Sequence, residues 1–254
     1  MSIDDISTQF EKKMQDSVAF RFRHEREDHK QIMLKARQVT SIDIAKFLKQ
    51  YRKSKTYPQD RLEKLAYILM DIKLQMYLIE VDLGADNDLM RNISGEPDSV
   101  EKEAHTQFIH LSFDQSLILK SRILWERVMN FVYYLETGKE LAVKKGKKAK
   151  FFHFINDTRW KYLEDFKEYV EWFDNAWRTP EAHKGSKLRA RLLSGTMDND
   201  EVNRILGLIG IVSNAFYINM MNIIDDKDPA YRFWTYGMSE DKKLSLPPAP
   251  EPQA

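Results

Sequence analysis

Trp177-Arg178-Thr179-Pro180-Glu181-Ala182-His183 is the stretch of this chain whose residue types and spacing could do chemistry. Thr179-Pro180 reads as a helix start. A threonine hydroxyl can accept from the exposed N–H groups of a first turn. Proline at the first helical position gives up only an N–H that would be unpaired anyway. Glu181 complements the positive end of the helix dipole. On this reading Arg178 lies just outside the helix and His183 on its first turn. Both border a volume into which free backbone N–H groups point, and such a volume favours an anion.

The residues after the motif extend its cationic character. His183, Lys187 and Arg191 recur at four-residue steps and share one stripe. Lys184 and Arg189 add to the cluster. Ala182, Gly185, Leu188 and Leu192 fall on another stripe, where small residues let a neighbouring helix approach. The predicted helix therefore carries a packed face and a cationic face with a histidine.

An imidazole can move a proton at neutral pH. A guanidinium can hold a phosphate in a bidentate manner and stabilise developing charge. RNA supplies its own nucleophile, the 2′-OH, so an Arg/His pair suffices for phosphodiester cleavage and calls for no metal or other cofactor.

Arg178-x4-His183, set at a helix start in the second half of a helical chain, resembles the R-x4–6-H motif of HEPN domains. The predicted helices at 117–135, 158–177 and 201–224 look similar to the bundle order of that family. The resemblance covers 99–226. It implies a metal-independent endoribonuclease, acting as a homodimer with a composite site, of the kind that serves in toxin–antitoxin and antiphage (antiviral) defence. It implies an antitoxin or defence-complex partner as well. Carried over, Arg178 binds and polarises the phosphate and His183 transfers the proton. Thr179, Lys184, Lys187 and Arg191 then contact the nucleic acid. The family pattern usually has Asn, Asp or His after the arginine; here that residue is Thr179, and Pro180 also lies inside the motif. Those two residues suit an alternative, a non-catalytic HEPN-like module that binds nucleotide or RNA. A third class is a helical interaction or scaffold protein built on the N-terminal helices.

Other candidates read as structure. A second R-x4–6-H match, Arg23 to His29, lies in a highly charged stretch without a start signal. The basic run Lys144 to Lys150 reads as a solvated loop. Trp125, Trp160, Trp172 and Trp177 read as core. His105 and His110 sit on different helix faces, and His153 lies among Phe151, Phe152 and Phe154. Asp225, Asp226 and Asp228 lack the spacing and glycine of a calcium loop. No phosphate-binding, dinucleotide or serine-nucleophile motif is present.

The composition narrows the classes further. The 254 residues contain no cysteine, which excludes disulfides and thiolate chemistry. The net charge of +1 provides no global basic field for nucleic acid, so any such contact must be local. The first residues lack a signal-peptide pattern, and Ile205 to Ile224 is interrupted by glycine and asparagine. These features predict a cytoplasmic protein that does not enter a membrane.

The elements needed to position the motif are helices. With 9 glycines and 8 prolines, the chain suits long helices. Periodicity predicts an all-α bundle of roughly six to eight helices, a HEPN-like core with an N-terminal extension. Ile3 to Tyr51 reads as one or two helices with a break near Thr40-Ser41, either of which could cap the second of them. The next helix runs from Pro58 to Leu83 and stops at Gly84, with 85–98 as a loop. Another runs from Ser99 to Thr137, interrupted near Ser112 to Asp114 and ended by Gly138. A further one runs from 156 or 157 to Trp177. The expected organisation is 1–84 as the extension, 99–226 as the bundle and 244–254, with four prolines, as a disordered tail.

Overall fold

The computed structural model of the chain describes residues 1–21, 43–52, 57–95, 97–141, 146–179, 189–190 and 194. Among them every regular element is helical and no strand occurs. The all-α expectation holds. The order is α1 (Ile3–Arg21), α2 (Ile44–Arg52), α3 (Gln59–Ser94), α4 (Val100–Thr137) and α5 (Lys147–Ile155). A 3-10 segment (Lys161–Phe166), α6 (Lys167–Phe173) and a π-helical turn (Asp174–Arg178) come next. None of the described helices is long and apolar enough to cross a membrane. The 201–224 helix, the 244–254 tail and the Arg23/His29 match lie outside the described residues.

Local chemistry sets most helix starts. Ser2 and Asp5 form a reciprocal capping box at α1: the Asp5 carboxylate accepts from the Ser2 N–H at 3.0 Å, and Ser2 Oγ accepts from the Asp5 N–H at 3.2 Å. The Ser2 hydroxyl, also bonded to it, leads the interactions that hold the Asp5 carboxyl below its ordinary range. Asp43 caps α2 through the Lys46 N–H at 2.8 Å. The expected break and cap at Thr40-Ser41 lie outside the described residues. Ser99 caps α4, accepting from the Lys102 N–H at 3.1 Å, where the helix was expected to begin.

Two helices are longer than the sequence implied. α3 continues through Gly84 to Ser94, so the expected stop and most of the expected loop are helix. A mid-helix glycine costs about 1 kcal/mol relative to alanine. Burial of Ile93 one stretch later favours continuation. α4 likewise passes through Ser112 to Asp114 without interruption. The basic run is also corrected: Lys147 to Lys150 form the first turn of α5, because Phe151, Phe152 and Ile155 behind them are buried.

The chain forms two compact units, each built from separate stretches. In 1–74 with 127–142, the core gathers Phe47, Leu65, Leu69, Phe131 and Leu135. Phe47 meets Phe131 edge-on with centroids 5.8 Å apart. α1 is tied in by Arg52, bidentate to Asp4 at 2.7 and 2.9 Å, and by Lys73 to Glu11. Arg61 closes the end of α4 by donating to the Tyr134 and Leu135 carbonyls at 3.1 and 2.5 Å. It thereby satisfies the Leu135 carbonyl, an acceptor that the helix end leaves open. Gly138 then leaves α4 at φ 70°, its N–H bonded to the Tyr134 carbonyl at 2.8 Å.

Gly138→Ala should destabilise the protein by about 1–2 kcal/mol, from the left-handed backbone and from crowding. A Cβ there would lie 3.3 Å from Arg61 Cζ and Nη1. Urea denaturation would measure the loss, and an unchanged midpoint would refute the argument.

In 75–126 with 143–254, the described core holds Ile118, Leu124, Trp125, Phe151, Phe152, Trp160, Leu163, Phe173 and Trp177. The tryptophans Trp125, Trp160 and Trp177 are core, as expected. Trp172 is only partly buried. The candidate motif belongs to this unit.

Candidate functional site

The helix that leads to Arg178 is irregular. It begins as a turn in which Thr158 Oγ1 donates to the Ile155 carbonyl at 2.9 Å and accepts from the Trp160 N–H at 3.1 Å. This hydroxyl bridge turns the chain and seats Trp160 in the core. The segment then passes from 3-10 through α6 to the π turn. Val170, Phe173 and Trp177 are buried along it.

The π turn places the motif arginine. The Thr179 N–H donates to the Asp174 carbonyl, five residues back. Pro180 itself lies outside the described residues. Arg178 ends the turn half-exposed and forms no ion pair among the described residues.

This geometry corrects the helix-start reading. Thr179 has φ −68° and ψ −45°, which are helical values, whereas an N-capping residue is extended. Its N–H is already committed to Asp174, so it is not an open donor for an anion. Thr179 continues the preceding helical run instead of opening a new one. His183, Lys184, Lys187 and Arg191 lie outside the described residues. Of the cationic cluster, Arg189 is described and exposed.

The structure adds a charge cluster that sequence reasoning passed over. Asp174, first residue of the π turn, is 4% exposed. Lys148 from the first turn of α5 pairs with Oδ2. Arg122 of α4, 9% exposed, brings Nε to 3.0 Å from Oδ1. Its N–H does not point at that oxygen: among the described residues Arg122 Nε, Arg122 Nη1 and Asp174 Oδ1 lack hydrogen bonds. The attraction there is one of charge alone. Arg122 Nη2 also reaches Glu126 at 2.8 Å, and Lys147 stands 3.9 Å from the same carboxylate. Three elements thus deliver three cations and two carboxylates to one place. Beside them Trp125 and Phe173 meet edge-on, with centroids 4.7 Å apart.

A sequence signal for this cluster exists. Asp174 sits on the apolar stripe Val170, Phe173, Trp177, and Arg122 on the stripe Ile118, Trp125, Met129. A charge on the face that a helix buries must find a partner. Among the described residues no group of three His, Asp or Glu could hold a metal ion.

No family model matches the chain, and no curated protein or solved structure is significantly similar to it.

Proposed function

We propose that this chain is a HEPN-like, metal-independent endoribonuclease of the toxin–antitoxin or antiphage kind, acting in the cytoplasm as a homodimer. The observation that supports the reading is the placement of Arg178. It ends a π turn whose first residue is anchored by a buried ion pair, and it remains half-exposed. Irregular turns of this type are frequent at functional sites. An arginine held on such a turn can meet a phosphate without first leaving another carboxylate.

The chemistry assigned to the pair is transesterification. The RNA 2′-oxygen attacks the adjacent phosphorus, the O2′–P bond forms and the P–O5′ bond breaks. His183 moves the proton, and Arg178 stabilises the charge gathering on the non-bridging oxygens. The products are a 2′,3′-cyclic phosphate and a 5′-hydroxyl. The test is cleavage of RNA by the purified protein in EDTA. Wild type is expected to cut, and His183→Ala and Arg178→Ala to cut at least about 100-fold more slowly. Equal cleavage by all three, or none by any, rejects the nuclease.

A second reading, a non-catalytic module that binds nucleotide or RNA, is favoured by one observation. Thr179 offers no free N–H to a phosphate, since Asp174 already accepts it. This reading expects salt-sensitive RNA binding without turnover, weakened by Arg178→Ala. Recognition of an antitoxin or another defence partner belongs to the first reading. The scaffold reading gains little from α1, whose Asp4 and Glu11 are engaged by Arg52 and Lys73 of the same chain.

A further inference from the structure

We propose that Lys148 and Arg122 act as internal counter-cations: they occupy the carboxylate of Asp174 and thereby keep Arg178 available to an external anion. The inference rests on the reading of Arg178 as a phosphate contact, and it adds two positioning residues to that site.

Asp174 and Arg178 are four residues apart in sequence. In a helix that spacing is the one at which an aspartate and an arginine pair. Left to itself, Arg178 would be drawn onto Asp174. The neighbouring cations act against this: Asp174 Oδ2 is held by Lys148, and Arg122 Nε lies 3.0 Å from Oδ1, so both oxygens already face a cation. Asp174 is buried at 4% exposure, whereas Arg178 is half-exposed. Capture of Arg178 would pull its guanidinium inward and cancel the charge a phosphate would meet. The buried pair thus leaves the guanidinium of Arg178 free to meet an anion without itself touching a substrate.

Lys148 is the better residue to alter, since its side chain is 24% exposed and borders solvent. Lys148→Gln should free one oxygen of Asp174 for Arg178. Phenylglyoxal, which modifies accessible guanidinium groups, would be applied to the full-length protein and followed by peptide mass spectrometry. The rate at Arg178 is normalised to the exposed Arg159. Lys148→Gln is expected to slow modification of Arg178 about two- to fivefold, the range for a partly exposed pair. Adding Asp174→Asn should restore the rate, and Lys148→Arg should match wild type. A purely structural role for Lys148 predicts no such restoration. An unchanged rate in Lys148→Gln, or a double variant no faster than the single one, overturns the proposal.

A second arm measures binding of a fluorescent single-stranded RNA at low salt. Affinity should fall in Lys148→Gln and recover in the double variant, in step with the modification rates. Should wild type and Arg178→Ala bind alike, the phosphate role of Arg178 is overturned even where the modification rates show the pairing.

Discussion

Asp174→Ala is expected to destabilise the protein by about 3–5 kcal/mol, the cost of breaking a buried ion pair by removing one partner. The aspartate is 4% exposed and faces two cations. Its removal leaves Arg122 nearly buried with Glu126 as its remaining ion-pair partner, and Arg122 Nε and Nη1 already lack hydrogen bonds among the described residues. Lys148 is the more tolerant neighbour, because its ammonium can swing to water. Pairing also has its own desolvation cost, so removing both charges should hurt less than removing one. The double variant Arg122→Met with Asp174→Leu should therefore lose less than the sum of its single changes. Urea denaturation of wild type, Asp174→Ala, the two single variants and the double variant gives the comparison. An Asp174→Ala midpoint equal to wild type would contradict the description of the cluster as a buried pair.

Trp160→Ala should lose a similar amount, about 3–5 kcal/mol, through a different mechanism. Trp160 is fully buried and the largest of the fully buried side chains described. It sits where the chain turns from α5 into the 3-10 segment, fixed by the Thr158 hydroxyl bridge. A close-packed core relaxes only in part around the space left behind. The loss should therefore include both the transfer of apolar surface and a cavity. Trp160→Phe should retain much of the packing and fall between wild type and alanine. Chemical denaturation followed by circular dichroism would separate the three. A Trp160→Ala protein as stable as Trp160→Phe would indicate that the site repacks.

How much of this was legible in the sequence depends on how local its cause was. The bounds of α4 were legible at both ends, because Ser99 and Gly138 act within a turn of themselves. The run of α3 past Gly84 was not, since a penalty of about 1 kcal/mol for one glycine yields to burial further along the helix. The lysines at 147–150 suggested a solvated loop. Their helical state comes from the buried aromatic pair behind them, and their partners Glu126 and Asp174 lie far away in sequence. The candidate site divides in the same way. Arg178 was found from its neighbours. The π turn beneath it was not. Asp174 and Arg122 each disturb an apolar stripe, which marks them as buried charges without naming their partners. The capping role given to Thr179 failed because the preceding helix, extended by its wide turn, reached it first.

The ion pairs and carbonyl bonds between α3 and α4 also bear on how the chain can fold. Lys120 joins Asp82 across 38 positions, and Arg61 reaches the Leu135 carbonyl across 74. Both loops enclose the same short connection at 95–99. Loop-closure entropy grows only with the logarithm of length, so the wider closure costs about 0.6 kcal/mol more than the narrower one. Each contact lies inside its own compact unit, Lys120 with Asp82 in one and Arg61 with Leu135 in the other, so one short connection serves the closure of both.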